Sequence, residues 1–144
     1  MPPVIGYCAV TGEVDAGAWL LFALLFLWQP PHFWSLGIRR VEEYRAAGFP
    51  LLPVVKGVRR TKWQMLPYLV ALYPTTILLY TLGYTGIWFL IGGLLLLTIW
   101  TWKCLEGFFV KDENRWASGA FKHSLYYLTI VFLLMVADTA HLPV

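Results

Sequence analysis

Residues 18–40 read AWLLFALLFLWQPPHFWSLGIRR. From Ala18 to Trp28 the run is apolar, but it falls short of the about 20 residues that a helix needs to cross a bilayer. The span must therefore continue from its start near Gly17 through Gln29, Pro30, Pro31 and His32 to about Ile38. This puts two prolines and two polar side chains inside the membrane. A proline lacks the backbone donor and crowds the preceding turn, which predicts an interruption or bend near Gln29–Pro31. Such a feature survives in hydrocarbon only where protein or a watery cavity satisfies the freed backbone groups. Beyond Ile38 the pattern stays helical to Ala47, where Gly48-Phe49-Pro50 supplies stop signals.

The charges decide how the rest is arranged. All 11 Lys and Arg residues fall in two clusters, one from Arg39 to Lys62 and the other from Lys103 to Lys122. The first sixteen residues, the short Gly83–Gly86 link and the C-terminal tail have none. Excess Lys and Arg marks cytoplasmic loops. The distribution predicts four spans, at about 17–38, 62–82, 86–105 and 119–140, with both ends of the chain on the far side. The fold class is therefore all-α, a polytopic transmembrane bundle forming one unit over residues 1–144. Thr61 with Gln64 has capping-box spacing and is expected to open the second span. Gly92-Gly93 in the third marks close helix contact.

Composition agrees, with 59% hydrophobic and 13% charged residues and a mean hydropathy of +0.64, outside the range of an ordinary soluble domain. The pI near 9.0 needs no nucleic acid, because basic loops would face anionic lipid or an anionic substrate. The start, Met-Pro-Pro-Val-Ile-Gly, lacks a basic n-region and is not expected to be a signal peptide. Cys8 and Cys104 are placed at opposite membrane faces, too far apart for a disulfide. Neither has metal-ligand spacing, and both are read as structural.

On one helix at about 100° per residue, Gln29, His32, Arg39, Arg40 and Glu43 fall within a stripe about 100° wide. Intramembrane polar residues mark functional sites by default, because unpaired polar groups in hydrocarbon cost several kcal/mol. The mixture suits an anionic head group, with guanidinium gripping oxygens and a carboxylate able to hold Mg²⁺. Each residue also has an ordinary reading. His32 serves equally as a helix-packing histidine, Arg39 and Arg40 as positive-inside anchors, and Glu42 and Glu43 as a solvated face. Pro30-Pro31 serves as a kink.

The run Leu27-Trp28-Gln29-Pro30-Pro31-His32-Phe33, followed by Glu43-Tyr44-Arg45-Ala46-Ala47-Gly48-Phe49-Pro50-Leu51-Leu52-Pro53-Val54, closely resembles the second signature of the protoheme IX farnesyltransferases, a branch of the UbiA-like membrane prenyltransferases. The opening Pro2-Pro3-Val4-Ile5-Gly6 is similar to the family's link before this helix. Phe121, Ser124, Tyr127, Leu128 and Asp138 resemble its end. Glu43 stands where the family has Asp, and Leu51 where it has Met.

The resemblance implies a nine-helix bundle around a cavity, of which this chain is similar to the C-terminal half. The Asp-rich signature N-x-x-x-D-x-x-x-D is absent here, so the missing N-terminal half is an expected partner and the chain alone is expected to be inactive. The implied reaction joins farnesyl diphosphate to a vinyl group of heme B to give heme O, with Mg²⁺ on the diphosphate, in the bacterial inner membrane. By resemblance Gln29, His32 and Glu43 line the cavity, Glu43 is a metal ligand, and Arg39, Arg40 and Lys56 contact diphosphate. Two other readings stay open: a non-catalytic four-span protein of heme handling or oxidase assembly, and a UbiA-type enzyme with another acceptor.

Overall fold

Asp15 begins the first long helix. Its backbone is extended, its Oδ1 accepts from the Ala18 amide at 3.1 Å, and this occupies one of the donors a helix start leaves open. The helix it caps, α2 (Ala16–Arg39), runs through both prolines without a break. The computed structural model describes residues 2–139. Before α2 stands α1 (Pro2–Thr11), and after it come α3 (Val41–Ala46), α4 (Leu52–Lys56), α5 (Val58–Thr81), α6 (Ile87–Glu106) and α7 (Glu113–Thr139). Among the described residues there is no strand.

Four features differ from the sequence reading, among them the start of α7 at Glu113 rather than near 119. The helix break predicted at Gln29–Pro31 lies instead at Arg40, whose φ of −117° and ψ of 29° leave the helical region. Pro31 is buried, as are Trp28 and Ser35 on the same face. That face packs on α5 and α7, which hold the helix path where donors are missing. The Thr61–Gln64 capping box does not form. Gly57, at φ +85°, turns the chain, α5 starts at Val58, and the Thr61 hydroxyl donates back to the Gly57 carbonyl at 2.9 Å. The expected link at Pro2–Thr11 is helical. The expected stop holds: α3 ends at Ala46, and Gly48 takes a positive φ of 75°. The last span was expected to reach residue 140, which lies outside the described residues.

Each long helix buries one face at 3.6-residue spacing. On α5 this face is Met65, Leu69, Leu72, Thr76 and Leu79, and on α6 it is Phe89, Gly93, Leu97, Trp100 and Cys104. α2 lies against α5 and α7, and α6 lies against the same two, so the four long helices close a ring. The paired glycines act as their spacing implies. A Cβ on Gly93 would meet Thr76 Cγ2 at 3.2 Å, and one on Gly92 would run into Leu134. Both cysteines are free.

The outward faces are apolar too, with Trp19, Phe26, Trp88, Leu95, Trp102 and Val136 all more than half exposed. Helices apolar on every side belong in lipid or against further protein. α6 and α7 are each long and apolar enough to cross a membrane. Gln29-Pro30-Pro31-His32 in α2 and the basic first turns of α5 lower the hydropathy of the other two.

The ring has two poles of different character. At one pole lie the ends of α2 and α6 and the starts of α5 and α7, with the Lys and Arg residues. At the other, Asp15 Oδ2 accepts from the Tyr7 hydroxyl at 2.9 Å and the Tyr84 hydroxyl at 3.2 Å. The Ala18 amide chiefly holds the Asp15 carboxyl below its ordinary value, while partial burial and that carboxylate push the Tyr7 phenol up to about 12. Nearby, the buried Asp138 on α7 accepts from the Phe89 amide of α6 at 2.8 Å. One helix thus caps the start of its neighbour, where a carboxylate also meets the positive end of the helix dipole.

Asp138→Ala should lower stability by about 1–2 kcal/mol, the usual worth of a helix cap, and Asp138→Asn by less. Tryptophan fluorescence during SDS titration of the detergent-solubilised protein measures this. An unchanged midpoint in Asp138→Ala would show that the cross-helix cap contributes nothing.

Candidate functional site

His32 sits in the second half of α2, where a lone polar residue in an apolar helix needs a partner. It finds one on α7: its Nδ1 lies 2.7 Å from Ser124 Oγ. The serine hydroxyl donates to the Phe121 carbonyl at 2.6 Å, so its lone pair is what the imidazole meets, and Nδ1 carries the proton. That tautomer leaves Nε2 with a free lone pair. The Trp28 indole donates to the Ser124 carbonyl at 2.9 Å, tying the same two helices together one turn away.

The ring is also fixed from both faces. Trp28 stacks on it at 4.3 Å between centroids and 19° between planes, and Phe121 at 4.8 Å and 23°. A histidine fixed in tautomer and plane presents Nε2 as an oriented base or acceptor. Its flanking π faces favour positive charge nearby.

The charged part of the stripe lies about 10 Å further along the helix axis, seven residues at the α-helical rise. There α2 breaks and α3 turns aside, so Arg39, Arg40 and Glu43 line one cleft of about 290 Å³ together with Glu113 and Asn114 from α7. Arg40 and Glu43 form an exposed ion pair at 3.3 Å, and Arg45 pairs with Glu42 in the same way. Such exposed pairs contribute at most about 1 kcal/mol and open readily. Arg39 also faces a second cleft of about 430 Å³ with Asp112, Asn114, Arg115 and Ser118. Among the described residues neither Arg39 nor Arg115 pairs with a carboxylate.

The stripe is thus divided. Arg39, Arg40 and Glu43 come together, His32 is held apart in an aromatic slot, and Gln29 is exposed with no hydrogen-bond partner among the described residues. Lys56 ends α4, exposed, and lines neither cleft. Among the described residues no three His, Cys, Asp or Glu side chains group to hold a metal. Glu42, Glu43 and Glu113 nevertheless line the cleft beside Arg39 and Arg40, and such a mixture suits Mg²⁺, which keeps much of its water and takes one or two carboxylates beside phosphate oxygens.

The sequence reading missed what crosses between helices. Ser124 and Phe121 stood only as matched positions, with no local signal that they hold His32. Lys62 looked like one more loop cation, yet it is 3% exposed. It donates to the Gly107 carbonyl at 2.5 Å, pairs with Glu113, and lies 4.5 Å from the centre of the Trp116 ring.

Among known proteins, the model of the UbiA prenyltransferase family matches residues 1–136. The chain is 47% identical over 138 residues to protoheme IX farnesyltransferase 1 of Bacillus velezensis, covering 96% of this chain and 44% of that protein. It is 48% identical over 141 residues to protoheme IX farnesyltransferase 1 of Bacillus subtilis, again covering 96% and 44%. To protoheme IX farnesyltransferase of Alkalihalophilus pseudofirmus it is 49% identical over 138 residues, covering 94% and 43%. The chain therefore spans less than half the length of the curated relatives it matches. No solved structure matches it significantly.

If Ser124 sets the tautomer, nitrogen NMR of ¹⁵N-histidine-labelled protein should show His32 protonated at Nδ1 alone. In Ser124→Ala the same signals should move to a mixture of both tautomers. An Nε2–H imidazole in the unsubstituted protein would overturn this geometry.

Proposed function

The chain belongs to the UbiA prenyltransferase family, and on that footing we propose that its residues build the C-terminal half of a heme-farnesylating site. The supporting observation is the division of α2. A pinned, half-buried imidazole between aromatic faces lies where α2 meets α7, and a cleft that brings Arg39 and Arg40 beside Glu42, Glu43 and Glu113 lies at the helix end. An allylic diphosphate has the same two parts, an isoprenoid that ionises to a cation and a leaving group with concentrated negative charge. The relatives are named protoheme IX farnesyltransferases, and this reading takes protoheme IX (heme B) as the acceptor and farnesyl diphosphate as the farnesyl donor.

In this reading the C1–O bond of farnesyl diphosphate breaks and the diphosphate leaves with the electron pair. A heme vinyl carbon attacks the allylic cation, and water adds to the other vinyl carbon with loss of a proton, giving heme O. Arg39 and Arg40 bind the leaving diphosphate in charge-assisted hydrogen bonds. Glu43 would hold Mg²⁺, which supplies further neutralisation of the leaving group. Trp28 and Phe121 offer π faces to the developing cation, and His32 Nε2 accepts the proton from the adding water. Gln29, with its amide turned outward, meets the substrate from the lipid-exposed side of α2. Lys56 adds only to the field of that pole.

The proposal includes four membrane spans, with the basic pole in the cytoplasm of a bacterial cell and both described ends of the chain outside. The bare apolar faces of the ring accept the remaining helices of the family bundle, whose Asp-rich signature completes the Mg²⁺ site. Separately inserted helices can associate in this way.

The test is heme O extracted from cells that lack their own farnesyltransferase. The chain with the N-terminal half of a relative should make heme O, and the chain alone should make none. His32→Ala or Glu43→Ala should lower the yield about tenfold or more, a loss of about 1.4 kcal/mol of transition-state stabilisation, with expression unchanged. Normal yields in both variants would remove the stripe from the chemistry. Heme O from the chain alone would remove the need for a second half.

A further inference from the structure

Lys62 is a buried cation whose burial needs a reason. Taking an ammonium out of water costs several kcal/mol, repaid only when its donors are fully engaged. Here the Gly107 carbonyl, the Glu113 carboxylate and the face of Trp116 engage it, joining α5 to the loop after α6 and to the first turn of α7. A methionine of similar volume would pack in the same place without a charge. What the charge does is hold Glu113.

Glu113 stands on the wall between two clefts. One, of about 600 Å³, contains Lys62 and Arg59. The other is the cleft of Arg39, Arg40 and Glu43. Its side chain is 46% exposed, so Lys62 is its only anchor among the described residues. Released, the carboxylate would turn toward the guanidiniums of the cleft it already lines.

Arg39 and Arg115 share the adjoining cleft with Asn114 and Ser118, and both are unpaired among the described residues. Asp112 lines it too, but its Oδ1 accepts from the Arg115 amide at 3.0 Å, capping α7. Two free guanidiniums, an amide and a hydroxyl around one space match the oxygens of a diphosphate.

We propose that Lys62 is a positioning residue: by sequestering Glu113, which lines one cleft with Arg39, it keeps Arg39 unpaired, and Arg39 with Arg115 across the adjoining cleft seats the phosphates of a diphosphate. The inference rests on the prenyl-diphosphate reading above and adds Arg115, from a different helix, to its contacts. Breaking the Lys62 anchor weakens the seat, because Glu113 is then free to pair with Arg39 across the cleft they share and takes one of the two guanidiniums.

The test is calorimetric titration with inorganic pyrophosphate of the chain in nanodiscs of zwitterionic lipid. Arg115→Ala and Lys62→Met should each weaken binding about tenfold, the worth of one hydrogen bond to a charged group. The decisive variant is Lys62→Met combined with Glu113→Gln, which should recover most of the lost affinity, since no released carboxylate is left to pair with Arg39. A merely structural Lys62 would leave the double variant as weak as the single one, and that result overturns the proposal. Should Lys62→Met fail to fold, Glu113→Asp, which shortens the reach to Lys62, should weaken binding while Glu113→Gln does not. The reverse order would be equally fatal. No pyrophosphate binding by the unsubstituted chain, or its loss when phosphatidylglycerol is added to the nanodiscs, would give the seat to nothing or to a lipid head group. Heme O formation by the chain together with the N-terminal half of a relative is scored in parallel. Its absence beside the expected binding pattern overturns the farnesylation reading alone, and its presence beside unmoved affinities overturns this inference alone.

Discussion

Hydrocarbon cannot solvate charge, and that one constraint orders the molecule. All 11 Lys and Arg residues are confined to one end of the helix ring or to the segments joining it. Among the described residues the opposite end keeps only Glu13, Asp15 and Asp138 as charged groups, and the last two are bound to helix starts. Between the poles many polar side chains find partners, although the exposed Gln29 and the buried Trp100 indole and Tyr127 hydroxyl have none among the described residues. Ser35, Thr75, Thr76 and Thr101 turn their hydroxyls back to carbonyls of their own helices, and His32 reaches across to Ser124. Each of the four long helices runs antiparallel to the two it packs against, the arrangement that four crossings of one apolar layer would require.

The same constraint makes much of the fold legible in the amino-acid sequence. Apolar length, the placement of basic residues and 3.6-residue faces follow directly from the solvent, and α2 and α6 nearly match the stretches those signals marked, whereas α5 begins at Val58 rather than near 62 and α7 at Glu113 rather than near 119. Gly92 and Gly93 announced a close approach, which is made against Leu134 and Thr76. What failed was local chemistry judged without tertiary context. Pro30 and Pro31 promise a break, yet α5 and α7 packed beside them hold the helix until Arg40. Thr61 and Gln64 have the spacing of a cap, but Gly57, able to take a positive φ, turns the chain four residues earlier.

The candidate site was legible as a stripe but not as two places. Helical projection aligns Gln29, His32, Arg39, Arg40 and Glu43, whereas the break at Arg40 separates an aromatic slot from a charged cleft. The partners that give each place its chemistry lie far along the chain: Phe121 and Ser124 for His32, Glu113 to Arg115 for Arg39. Nothing in the local pattern of α7 marks them. Lys62 shows the same limit, since a loop cation and a buried ammonium look alike in sequence and differ only in what surrounds them.

The placement of the site depends on the two poles facing opposite sides of a membrane. Single cysteines placed by Thr11→Cys and by Lys56→Cys, in a background of Cys8→Ser and Cys104→Ala, can be labelled with a membrane-impermeant maleimide on intact spheroplasts. Thr11→Cys should label without permeabilisation and Lys56→Cys only after it. Labelling of both from the same side would contradict the arrangement and with it the placement of the charged cleft at the cytoplasmic pole.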